Sequence, residues 1–149
     1  VFLKAAPPLL LIALLAAGPA AACSLSLGVG GALGLSADGL RYGSGEAGGV
    51  ARTLTILNLG LGAATITVEA PALAAWPNGF NAGSALVEVA YAGGGLLSGV
   101  TQPYTSGASQ FEVPALLSVA TILTLNNRIT STAGFASGSY QTRTIVTCG

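Results

Sequence analysis

Histidine and methionine are absent from this chain of 149 residues, and only 7 % of its side chains are charged. Without histidine there can be no Ser–His–Asp or Cys–His nucleophile. Two cysteines without histidine cannot close a four-ligand zinc site either. Five basic residues balance five acidic ones, which excludes the basic stripe of a nucleic-acid binder and an acidic tail. The acids are scattered singly, and Glu69, Glu88 and Glu112 fall on the polar faces of candidate strands rather than as a facing pair. There they serve solubility and keep sheet edges from sticking. The sequence therefore predicts no catalytic residue, no metal and no cofactor, and a protein that is not an enzyme.

Small and apolar residues are plentiful: 52 % of the chain is hydrophobic and 22 residues are glycine. The first stretch carries Lys4, the apolar run Leu9–Ala17, a Gly18-Pro19 breaker and then Ala20–Ala22 before Cys23. That order is the pattern of a secretory signal peptide cut after Ala22. The run is short of the roughly 20 residues that a membrane-spanning helix needs. Residues 1–22 are thus read as a signal peptide and 23–149 as one domain, exported to the periplasm, the cell surface or an extracellular fibre, with no transmembrane span in the mature chain.

An even cysteine count in an exported chain reads first as a disulfide, here between Cys23 and Cys148. The rival is acylation of Cys23 after cleavage, which would leave Cys148 as an odd thiol.

Beyond Cys23 the chain alternates with period two. Ala64, Ile66, Val68 and Ala70 share one face, as do Ala85, Val87, Val89 and Tyr91. Phe111 and Val113 alternate with Gln110 and Glu112, and Tyr140, Thr142, Thr144, Val146 and Cys148 alternate with Gln141, Arg143, Ile145 and Thr147. Residues 51–59 and 118–125 are Thr-rich and apolar on both faces, as central strands are. Turn signals separate these runs at Asp38-Gly39, Gly60-Leu-Gly62, Pro77-Asn-Gly79, Gly93-Gly-Gly95, Gly107, Asn126-Asn127 and Gly138. Connections this short cannot cross between parallel strands. The prediction is an all-β antiparallel sandwich.

Two local patterns invite a sharper reading. Gly43-Ser-Gly45-Glu-Ala-Gly48 matches a dinucleotide-binding fingerprint, but Thr53-Leu-Thr-Ile-Leu57 after it reads as a strand where that motif needs a helix, so the run is a loop. Trp76 and Phe80 flank a tight turn with Asn78 and Asn81 close by, a candidate contact for a carbohydrate or surface ligand. Their plainer role is to cap one end of the core.

Leu40-Arg-Tyr42-Gly43, ahead of a Gly-containing loop and a Thr-rich strand, resembles a segment of secreted bacterial pilin-like domains of the spore-coat-protein-U type. The ending from Phe135 through Gly138-Ser-Tyr140 to Thr147 resembles their closing strand. Together the two segments cover about a quarter of residues 23–149. The resemblance implies an immunoglobulin-like sandwich that self-associates as a non-catalytic subunit of a surface fibre or coat, exported with a periplasmic chaperone and an outer-membrane usher. The alternative is a self-contained exported binding module.

In residues 24–36 the apolar side chains Leu25, Leu27, Val29, Leu33 and Leu35 all fall on odd positions. This face suits either a strand donated to a neighbour's sheet edge or the domain's own first strand.

Overall fold

The computed structural model describes residues 23–28 and 30–149, so the signal-peptide reading of 1–22 and the place of Val29 lie outside the described residues. The described chain is all-β, in antiparallel sheets that make a sandwich. Its spine is β10 (Leu117–Thr130). Along one side β10 pairs first with β4 (Arg52–Asn58) and then with β3 (Arg41–Gly43); along the other it pairs with β7 (Leu86–Gly93). Outside β4 lies β1 (Cys23–Leu27), outside β3 lies β2 (Gly34–Leu35), and outside β7 lies β8 (Thr101–Thr105). In the second layer β5 (Ala64–Val68) sits between β9 (Ser109–Val113) and β12 (Val146–Cys148), and β6 (Ala72–Ala75) pairs with β11 (Gln141–Arg143). The Glu69 amide donates to the Ile145 carbonyl at 2.9 Å and joins these two pairs, so 141–148 runs beside 64–75 as one edge.

The alternation read from the sequence decides which side chains fill the space between the layers. Ile56, Val89 and Leu123 enter from the first sheet, and Ile66, Val68 and Val113 from the second; all six are fully buried. Each contributes about 1.5–3 kcal/mol of transfer free energy. The Cys23–Cys148 disulfide, with a Cα–Cα distance of 6.1 Å, ties the first strand of one sheet to the last strand of the other. Among the described residues no helix is long and apolar enough to cross a membrane.

Two expectations are corrected. Asn126-Asn127 is not a turn but the middle of β10, paired with Ala90 and Val89. Both amides find partners there that a turn would otherwise supply. Asn126 Oδ1 accepts from Ser44 Oγ at 3.0 Å, while Asn127 donates to Thr142 Oγ1 at 3.0 Å and accepts from Thr144 Oγ1 at 3.1 Å. The odd-numbered apolar face of 24–36 is also not continuous. After β1 the edge is held by the Gly28 amide on the Thr53 carbonyl and by the Ala32–Val50 bridge, and it re-enters with the opposite phase. Gly34 and Ser36 are then buried, while Leu35 is exposed.

The phase change brings Gly34 against the 43–48 glycine run, which is a turn between β3 and β4 with Gly48 at φ +78°. A Cβ on Gly34 would collide with the Ala47 carbonyl and the Gly49 amide, both backbone atoms. Gly34→Ala is therefore expected to destabilise by about 1–3 kcal/mol, as overpacked substitutions do. Urea denaturation of the variant beside the native chain measures this.

Candidate functional site

The edge made by β1 and β2 faces the edge made by residues 141–148 across an open space. The space is a groove of about 750 Å³. Leu25, Leu27, Leu33, Leu54 and Val146 give it apolar walls, and Arg52 and Arg143 are the charged side chains of its lining among the described residues. On its floor the Asn127 amide, bonded to Thr142 and Thr144, holds the two sheets apart at a fixed spacing. The disulfide closes the groove at one end. Among the described residues each flanking strand pairs on one side only, β1 with β4, β2 with β3, β11 with β6 and β12 with β5. An extended chain entering here would meet backbone groups on both walls and apolar side chains between them.

Of the proposed donor face, Leu25 and Leu27 lie in β1, paired with Ile56 and Leu54 of the same chain. Leu33 lines the groove, and Leu35 pairs with Tyr42. The segment is thus an edge of its own sheet, with its first residue pinned by the disulfide.

At the opposite end, Tyr42, Phe80, Phe135 and Tyr140 form one aromatic cluster. Phe80 stacks on Phe135 at 5.4 Å and meets Tyr140 edge-on at 5.0 Å. Tyr42 stacks on Tyr140 and meets Phe135 edge-on, both at 4.9 Å. The Tyr140 hydroxyl donates to the Ala136 carbonyl at 2.9 Å, fixing the loop between them. The segment around Tyr42 and the segment Phe135 to Tyr140 therefore pack on each other. Phe80 is spent in this cluster, and a shallow pocket of about 260 Å³ beside it is lined by Phe80, Asn81, Ser84, Ser131 and Phe135 but not by Trp76. Trp76 is 47 % exposed. Asn81 is used locally, its side chain accepting the Gly83 amide at 3.1 Å. The two candidate ligand contacts are not brought to one pocket.

The acids behave differently from their scatter in the sequence. Asp38 accepts from the Ser36 hydroxyl and the Leu40 amide, and the Ser36 bond chiefly holds its carboxyl below the ordinary value. Glu46 pairs with Arg41 at 3.3 Å and Glu88 with Arg128 at 2.7 Å. The Arg128 guanidinium lies 4.0 Å from the Tyr104 ring centroid, and burial pushes the Tyr104 phenol above its ordinary value. Both Glu46 and Glu88 reach that phenol electrostatically, so the fold gathers two acids around one tyrosine, each with its own arginine. Glu69 and Glu112 are exposed. Among the described residues no three potential ligands could hold a metal ion.

Sequence reasoning missed the groove and one residue that organises its closed end. Asn58 sits at the end of a Thr-rich apolar strand, is 1 % exposed, and bonds into two separate loops. An amide at a strand end just before Leu-Gly-Leu-Gly was the available signal. In comparisons with known proteins no family model matches the chain, and no curated protein or solved structure matches it.

Proposed function

We propose that the chain is a non-catalytic exported subunit of a surface fibre or coat, in which copies associate by adding a strand edge of one to the groove of the next. The observation that carries this reading is the groove between two singly paired edges. The far margin of the second sheet supports it. There β9 is a free edge among the described residues, with Glu112 exposed on it, opposite in charge to Arg52 and Arg143 at the groove. A groove on one side and a complementary edge on the other make a heterologous contact, which propagates into an open fibre rather than closing a dimer. In this reading the donated edge is β9 rather than β1, which pairs with β4 of its own sheet and is bridged at Cys23 to Cys148. The two pilin-like segments support export with a periplasmic chaperone and an outer-membrane usher.

Mixing two blocked variants tests this. Leu27 and Val50 line the groove yet are 73 % and 46 % exposed, so Leu27→Lys with Val50→Lys loads the groove with charge and leaves the core alone. Glu112→Lys alters only the β9 edge. Native protein run unboiled should give a ladder of multimers, each variant alone a monomer, and an equal mixture a dimer, since one intact groove then meets one intact edge. A native monomer, or a ladder that survives the groove variant, would overturn the proposal.

A further inference from the structure

At the disulfide end of the sandwich two loops carry leucines away from the core. Leu59 and Leu61, 62 % and 91 % exposed, lie between β4 and β5; Leu116, 61 % exposed, lies between β9 and β10. Leu116 is held at φ +55°, the one non-glycine residue at positive φ among the described residues. A bulky side chain in that region marks a loop whose shape is imposed from outside it.

Asn58 imposes it. Its Nδ2 donates to the Gly62 carbonyl at 3.0 Å and the Pro114 carbonyl at 3.1 Å, and its Oδ1 accepts the Gly60 amide at 3.0 Å. The Leu116 amide then donates to the Gly60 carbonyl at 2.9 Å. One buried amide thus fastens the two leucine-bearing loops into a single preformed tip. No residue in 57–68 or 113–127 is charged.

We infer that this tip docks on a lipid bilayer, with Leu59, Leu61 and Leu116 entering among the acyl chains. A stable contact with a second copy would bury about 800 Å² on each partner. Three leucines raised on two narrow loops offer a fraction of that area, and shallow insertion into a membrane interface needs no more. The polypeptide also joins the domain here. Cys23 pairs with Asn58, so residues 1–22, with their apolar run Leu9–Ala17, are attached at this same tip. Before the cut after Ala22, a chain engaged with a membrane through that run brings the leucines to the bilayer surface. The inference does not rest on the fibre reading, which uses the groove and β9.

The single tryptophan, Trp76, lies near the other end of the sandwich and serves as the internal control. The full chain is mixed with phosphatidylcholine vesicles containing brominated lipid, first as the native sequence and then as Trp76→Phe with Leu61→Trp. Fluorescence of the indole at position 61 should shift to the blue and be quenched, while that of native Trp76 is not. Adding Leu59→Ser and Leu116→Asn, the second chosen because asparagine accepts positive φ, should abolish the quenching at 61. Absent quenching at 61, or equal quenching at both positions, overturns the inference. Quenching that survives loss of the other two leucines overturns it as well, since residues 1–22 would then carry the tip passively. A blue shift that grows with protein concentration without lipid overturns it in favour of a second copy.

Discussion

Replacing Cys23 and Cys148 together by serine is expected to lower the unfolding free energy by about 4–5 kcal/mol. The bridge spans 125 residues of sequence. In the chain-entropy view it removes from the unfolded ensemble nearly all the freedom of the described domain's two ends. The folded state has little to lose in exchange, since both residues are half-buried at the rim of the core, where a hydroxyl can be hydrated. At an m value of about 1–3 kcal/mol per M, the urea midpoint should fall by more than about 1 M. Reducing the native protein should produce the same fall. A change below about 1 kcal/mol would mean that the unfolded chain already keeps its ends together. The effect should be strongest at the groove, because the bridge is what joins the two edges that flank it.

Whether a feature could be read from the sequence depended on how local its cause is. Strand alternation is local: Ile66 and Val68 are buried and alternate with the polar Thr65, Thr67 and Glu69, and the period shows it. The Cys23–Cys148 bridge agrees with the reading made from an even cysteine count and the export-like pattern of the first residues. Asn126-Asn127 misled because asparagine favours turns by bonding its own backbone, and here Ser44, Thr142 and Thr144, distant in sequence, outbid that preference. The break in 24–36 was hidden for the same reason. Gly34 must be glycine because of Ala47 and Gly49, a contact that no periodicity encodes. The groove was not legible at all, being the space left where two edges fail to meet. Gly60-Leu-Gly62 was legible as a turn, but the exposure of Leu61 and of Leu59 before it was not, since it is set by how the described chain folds around them.

Asn58→Leu is expected to destabilise the protein by about 2–4 kcal/mol even though leucine fits a buried apolar strand end better by composition. The substitution leaves the Gly60 amide and the Gly62 and Pro114 carbonyls without their partner, each costing about 1–3 kcal/mol if it stays dry. Gly62 and Pro114 are exposed, so water recovers part of that, and the methyl groups recover a little more. The loss should be uneven across the molecule. The Leu116 amide, bonded to Gly60 across the two loops, should exchange its hydrogen much faster, while amides at the aromatic end keep their protection. Asn58→Asp separates the two halves of the amide's work, because it keeps the acceptor for Gly60 and replaces the donor by a buried charge. Burial raises the folded-state pKa of such a carboxyl above its unfolded value. The folded state then binds more protons, and stability should recover as the pH falls, when protonation restores one donor to the Pro114 or Gly62 carbonyl. Asn58→Leu has no such group and should show no recovery of this kind. If the two variants have the same pH dependence, or if Leu116 exchange is unchanged in both, the amide is not what holds the loops together.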